Sequence, residues 1–180
     1  MVEYNPAWPS EFENLAGNLD SLFGGLALAI DHIGSTSVPG LAAKDCIDVQ
    51  VRVNVLHEAQ LSERLAAAGF RLRREPWNTT ELTYGQRCSK LVFAQALGAR
   101  SCNIHVREGG APNARFALLF RDYLRSAEDA RLAWGAFKQR LAQTVTDLSD
   151  YGQIKAPATD ILMQAAERWA AETGWSPDVP

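Results

Sequence analysis

The sequence predicts an α+β fold, in which a β-sheet carrying helices is followed by an all-helical second half. Three observations predict it. Segments with strand-like patterning stop before Gly109-Gly110. Beyond that pair, apolar residues recur only at helical spacing. Finally, 180 residues with 47% hydrophobic and 22% charged content have the dimensions of one domain, 1–180, and a chain of that size buries roughly 70% of its unfolded surface. That apolar content excludes a disordered chain, which cannot bury enough surface to offset its ordering entropy.

Each element follows from local chemistry. Pro9 suits a first helical turn, and Glu11 adds the negative charge such a turn favours. Phe12, Leu15, Leu19 and Leu22 repeat at helical spacing up to Gly24-Gly25. Leu26 to Ile33, interrupted by Asp31 and His32, reads as a buried strand, and Gly34 to Gly40 is a dense turn cluster. Cys46 to Val53 is the clearest strand: Ile47, Val49, Val51 and Val53 point one way, and Cys46, Asp48, Gln50 and Arg52 the other. Leu56 to Ala68 is an amphipathic helix closed by Gly69, whereas Phe70 to Gln86 fits a loop or an edge hairpin. Lys90 to Leu97 and Arg100 to Arg107 read as two strands joined at Gly98-Ala99. In the second of these, Asn103, His105 and Arg107 face away from Cys102, Ile104 and Val106. Three helix faces follow, marked by Phe116, Phe120, Tyr123 and Leu124, by Trp134, Phe137, Leu141 and Val145, and by Ile161, Ala165 and Trp169.

Composition narrows the function classes. A formal charge of −3 argues against a strongly basic nucleic-acid binder, leaving only a local basic patch for such a role. The longest apolar stretch, Leu22 to Ile30, is far short of the roughly 20 residues of a membrane span. Cys46, Cys88 and Cys102 form no Cys-x-x-Cys pair, which disfavours a disulfide framework or zinc knuckle. The first residues lack the basic start and apolar run of a secretory signal, so the expected location is cytoplasmic.

The chemistry concentrates in His32-Ile33-Gly34-Ser35-Thr36-Ser37-Val38-Pro39-Gly40 and the following Ala43-Lys44-Asp45-Cys46-Ile47-Asp48-Val49-Gln50. A small-residue loop brings backbone N–H groups close to phosphate oxygens, and Ser and Thr hydroxyls add donors. A carboxylate one strand away can hold a magnesium ion that bridges those phosphates. The loop lacks the Gly-x-x-x-x-Gly-Lys-Ser/Thr spacing of a P-loop.

Strand, Gly-Ser, turn, strand and Asp together resemble the nucleotidyltransferase-fold signature of DNA polymerase beta and the aminoglycoside nucleotidyltransferases. The string HIGSTSVPGLAAKDCIDV resembles the GrpB-like family, a branch of that fold whose string also occurs fused to some dephospho-CoA kinases. The likeness continues through Asn103-Ile104-His105-Val106, Leu118 to Arg125, Lys138 and Tyr151 to Lys155. It implies a nucleotidyltransferase-like α+β fold, a short mixed sheet flanked by helices with a C-terminal helical cap.

The resemblance also implies a site. Asp48 and His105 would be catalytic, and Asp48 and Gln50 would hold Mg2+. Gly34, Ser35, Thr36, Ser37, Lys44, Arg121 and Lys155 would contact a nucleoside triphosphate or related phosphorylated ligand. Active nucleotidyltransferases place a second acid where this chain has Gln50, and the family usually reads Lys-Pro at Lys44-Asp45. Each residue also has a plainer reading: Asp48 as a carboxylate held by a local Arg, Gly34-Ser35 as a turn, His105 as a hydrogen-bonded core histidine. Arg121, Arg125, Lys138 and Lys155 have two readings, as cations lining an anionic pocket or as solvated helix-surface cations. Two functions therefore stand side by side: metal-dependent nucleotidyl transfer to a small acceptor, or a catalytically inactive module or scaffold that binds a nucleotide or coenzyme-A-like ligand.

Overall fold

The computed structural model describes residues 1–177, except for the side chains at positions 148 and 149. In chain order it runs through α1 (Trp8–Phe23), β1 (Ala27–Ile33), a 3-10 turn (Ser35–Ser37), β2 (Ile47–Val53), α2 (Glu58–Ala67) and β3 (Arg71–Arg73). Then follow β4 (Thr80–Thr83), β5 (Gln86–Ser89), β6 (Leu91–Ala94), β7 (Cys102–Glu108), α3 (Pro112–Ser126), α4 (Glu128–Thr144) and α5 (Leu148–Thr173). Five strands pair in the order β1-β2-β7-β6-β3, while β4 and β5 form a separate hairpin. The β2–β7 pair is parallel and the other pairs are antiparallel, so the sheet is mixed, as expected.

The twofold alternation of the strands assigns each face its job. Ile47, Val49, Val51 and Val53 of β2, Ile104 and Val106 of β7 and Phe93 of β6 pack with Trp8, Leu19, Phe23, Leu61 and Leu65 of α1 and α2. Each such side chain, fully buried, contributes about 1.5–3 kcal/mol. The opposite face is polar. Register places Asp31 beside Gln50, Gln50 beside His105, and Arg52 beside Arg107. Its charges are paired: Arg52 with Asp31 at 2.9 Å, Arg107 with Glu81 at 2.9 Å, and Lys90 with Glu81 at 2.7 Å. Helix α3 lies over it, and the Ala114 carbonyl accepts from Gln50. A second apolar cluster, including Val38, Leu41, Leu119, Leu124, Trp134 and Met163, joins α3, α4 and α5 into the helical cap. A polar seam thus runs between two apolar clusters.

The structure sharpens some expectations and changes others. The ambiguous stretch holds β3, a 3-10 turn at Pro76–Asn78 and β4, which turns through Tyr84 and Gly85 (φ 50° and 75°) into β5. The β6–β7 pair is antiparallel and turns at Gly98-Ala99 as expected, the Ala99 N–H donating to the Ala96 carbonyl and Gly98 taking φ 78°. The strands are shorter than expected, β6 ending at Ala94 and β7 starting at Cys102, and Leu97 is 90% exposed. Ile161 lies off the buried face of α5, 70% exposed, and Val145 caps α4 instead of belonging to it. Among the described residues no helix is long and apolar enough to cross a membrane.

Candidate functional site: a lysine-lined cavity at the start of β2

Strand β1 ends opposite the start of β2, with Ile33 registered against Asp48. Gly34 then takes φ 70° and ψ −168°, a region only glycine occupies without strain. Space dictates glycine there as well. A Cβ at position 34 would stand 2.6 Å from Asp48 Oδ2 and 3.0 Å from Asp48 Cβ. The backbone therefore passes directly over the Asp48 carboxylate and curls into the 3-10 turn, where the Ser37 hydroxyl donates to the Gly34 carbonyl at 2.6 Å.

Beside this turn lies a cavity of about 150 Å³ lined by Ser35, Thr36, Lys44, Cys46, Asp48, Asn103, Lys138, Tyr151 and Lys155, with Met1 and Ala43. Tyr151 and Lys155 are one helical turn apart and so share a face of α5. The Lys44 ammonium lies 4.6 Å above the Tyr151 ring centre. Lys138, only 2% exposed, donates to Ser35 Oγ and to the Ala42 carbonyl, both at 2.7 Å. With that oxygen accepting from Lys138, the Ser35 proton is free to be donated to a ligand.

Three lysines and one carboxylate give the cavity an excess of positive charge. Burial and the neighbouring Lys155 push the Lys138 ammonium down to about 7, against the pull of Asp48. Lys155 is lowered by burial and by Lys44, again against Asp48. Burial alone would raise the Asp48 carboxyl, but His105, Asn103 and Lys155 outweigh it and hold the group below its ordinary range. Asn103 Nδ2 donates to Asp48 Oδ1 at 2.9 Å, and His105 Nε2 lies 3.8 Å from the same oxygen. Burial lowers His105, with Arg107 adding to the effect, against the pull of Asp48.

The structure brings together Ser35, Thr36, Lys44, Asp48 and Lys155, with Gly34 and His105 in contact with Asp48. It turns others elsewhere. Thr36 lines the cavity, but its hydroxyl pairs with His32 Nε2 at 3.0 Å. Arg121 lies behind the turn, bound to Asp122 and donating to the His32 carbonyl, and Arg125 holds the Ser37 carbonyl. Both arginines hold carbonyls of the loop and neither lines the cavity. Gln50 is wholly buried: its carbonyl accepts from Arg107 at 2.9 Å, and its amide donates to Asp31 and the Ala114 carbonyl.

A profile of the family described as "GrpB protein" matches residues 1–165. The chain belongs to the GrpB family. It resembles the crystal structure of the conserved protein GrpB from Enterococcus faecalis with a TM-score of 0.75 at 28% identity, over 93% of this chain and 98% of that one. It is 34% identical to the UPF0157 protein SCO7215 of Streptomyces coelicolor, over 95% of this chain and 84% of that protein. It is also 35% identical to a protein named "Dephospho-CoA kinase" from Mycolicibacterium paratuberculosis, over 98% of this chain but 48% of that protein. The chain thus spans about half the length of the curated kinase relatives it matches.

For this GrpB chain the expected magnesium site does not fit. Magnesium takes oxygen ligands, usually one or two carboxylates plus substrate phosphates. Among the described residues Asp48 is the only carboxylate lining the cavity, three lysines line it too, and the Gln50 carbonyl is turned to a guanidinium. Among the described residues no cluster of three His, Cys, Asp or Glu stands ready to hold a metal.

Met1, Ala43, Cys46, Asn103, Lys138 and Tyr151 line the cavity although none belongs to the site set implied by the resemblance; of these, Lys138 is the one the sequence offers as either a pocket-lining or a solvated cation. For Lys138 a signal was present: it sits four residues after Trp134 and three before Leu141, inside the apolar stripe of its helix. A lysine in such a stripe is buried with a partner, not solvated.

Proposed function

We propose that this GrpB chain binds the phosphate end of a nucleotide or coenzyme-A-like ligand in the cavity at the start of β2, without needing a metal. One observation carries the reading: the side-chain nitrogens of Lys44, Lys138 and Lys155 and the Ser35 hydroxyl line one cavity. Anionic oxygens are what such donors recognise, and charge-assisted hydrogen bonds are the strong ones. The volume sets the division of labour. Drug-sized ligands occupy pockets of about 300–1,000 Å³, so a cavity of about 150 Å³ takes the phosphate end and leaves the base outside. The relatives named "Dephospho-CoA kinase" support adenine nucleotides and coenzyme-A precursors as first probes.

Calorimetry of the full chain with ATP, dephospho-CoA and coenzyme A, with and without Mg2+, tests this. Binding without the ion is expected, weakened at least about tenfold (roughly 1.4 kcal/mol) by Lys155→Met. Absence of binding to all three, or an affinity unchanged in Lys155→Met, overturns it. Nucleotidyl transfer is the second reading, favoured by Asp48 beside His105 at 3.8 Å. It requires pyrophosphate release from a nucleoside triphosphate that is abolished in Asp48→Asn.

A further inference from the structure

The cavity lysines differ in what surrounds them. Lys155 is half-buried and is lowered by desolvation against the pull of Asp48, and Lys44 is exposed. Lys138 is 2% exposed and, among the described residues, makes no ion pair, although the Asp48 charge also acts on it. Its Nζ meets a hydroxyl and a carbonyl, and a second ammonium, Lys155, stands close by. A neutral amine matches that setting: two N–H bonds donate to or toward the oxygens, and the lone pair points to whatever enters the cavity. Desolvation beside another cation is how proteins make a lysine nucleophilic at neutral pH.

We propose that Lys138 is an imine-forming amine for a phosphorylated aldehyde or ketone, whose phosphate is held by Lys155, Lys44 and the Ser35 hydroxyl. The phosphate part rests on the anion-binding reading above; the amine chemistry is additional. The Nζ lone pair forms a bond to the carbonyl carbon, the carbonyl π electrons move to oxygen, and one of the two nitrogen protons passes to that oxygen to give the neutral carbinolamine. The C–O bond then breaks, its oxygen leaving as water with a proton from the cationic surroundings, and the nitrogen gives up its own second proton as the C=N bond completes. Amine and carbonyl give imine and water, with no oxidant or reductant. The groups facing Lys138 are Asp48 from β2, Lys155 from α5 and Ser35 from the turn after β1. The acid shift of Lys138 to about 7 agrees with this geometry.

The chain has four lysines, Lys44, Lys90, Lys138 and Lys155, so an adduct is easily placed. Incubating the full chain with pyridoxal 5′-phosphate, reducing with borohydride and mapping peptides by mass spectrometry should put at least about tenfold more adduct on Lys138 than on Lys44. Labelling should rise with pH and level off above about 7, where an ordinary lysine would still be climbing toward 10.5. Lys155→Met removes the neighbouring cation and should move that levelling to higher pH, a readout a structural role would leave unmoved. Lys138→Met should remove the adduct; the wild-type distribution and the Lys155→Met profile stand whether or not that variant folds. Adduct spread evenly over exposed lysines, or an ordinary lysine profile at Lys138, overturns the proposal. Phosphate-free pyridoxal and pyrophosphate competition separate the two claims. Competition by pyrophosphate without a Lys138 adduct sinks the amine and keeps the anion site. A Lys138 adduct formed equally from pyridoxal, with no competition, sinks the phosphate part of both.

Discussion

Gly34→Ala tests the close approach on which the cavity depends. Two costs combine. The backbone at φ 70° and ψ −168° lies where a residue with a Cβ is strained by about 1–3 kcal/mol. The added methyl would also stand 2.6 Å from Asp48 Oδ2, 3.0 Å from its Cβ and 3.2 Å from its Cγ. Rotating the carboxylate relieves the first contact but not the second, since Cβ is fixed to the central strand β2. Overpacking of this kind costs about 1–3 kcal/mol. The sum is about 2–6 kcal/mol, read from urea midpoints at a constant m-value. Gly25→Ala is the control for conformation alone: its φ is 81° but a Cβ there meets nothing within 4 Å. Gly17→Ala, in the middle of α1 with open space around it, should stabilise by roughly 0.5–1 kcal/mol. Adding Asp48→Ala to Gly34→Ala should recover part of the loss, a coupling the double-mutant cycle isolates. If Gly34→Ala and Gly25→Ala lose the same stability, the steric argument is wrong and position 34 is a turn glycine only.

Other outcomes follow from the same contacts. Gln50→Glu replaces donors to Asp31 and the Ala114 carbonyl by a carboxylate, so it should cost about 1–3 kcal/mol by thermal melting without tightening Mg2+ binding, and a gain in metal affinity would refute this placement. Arg121→Ala should lower stability but change ATP affinity less than about twofold, in contrast to Lys155→Met; a tenfold loss would put Arg121 back in the site. Burial and Arg125 hold His32 down at about 4, against an ordinary 6.5, so its neutral ring stabilises the fold fully above pH 6.5 and loses that contribution as pH falls through 4. Burial raises Glu81, but Arg107 and Lys90 bring it down to about 2, so its contribution persists above pH 4.5 and disappears on approaching 2. Urea midpoints at intervals from pH 7 to 2.5 should therefore fall in two stages, and Glu81→Gln should flatten only the more acid one.

Much of this was legible in the residues. The alternation Ile47, Val49, Val51, Val53 against Asp48, Gln50, Arg52 correctly assigns both faces of β2, because a period of two leaves no third choice. The same logic places Asn103 and His105 beside Asp48 once β2 and β7 are known to be parallel. What patterning could not supply was the destination of a long side chain. Arg121 and Lys138 look alike in sequence, yet one reaches back to a carbonyl and an adjacent aspartate, while the other lies under the cap against Ser35. Nor could it read β4, where the signs invert. Glu81 is drawn inward by Arg107 and Lys90 while Leu82 stands 76% exposed. In a hairpin outside the main sheet, ion pairing decides which face turns in, and hydrophobicity misleads.

The parallel β2–β7 pair joins Ile47 to Cys102 across the whole of α2 and four strands. Closing a loop of that length must precede its reward, which slows folding relative to a helical protein of equal size. Residues that line the cavity come from β2, β7, α4 and α5, so the cavity can exist only after that closure and after the last helix has docked. During synthesis, the lysines that crowd together at the end are still far apart while the sheet forms. Their mutual repulsion therefore burdens only the final docking step, and an anion that fits between them should speed that step in refolding experiments.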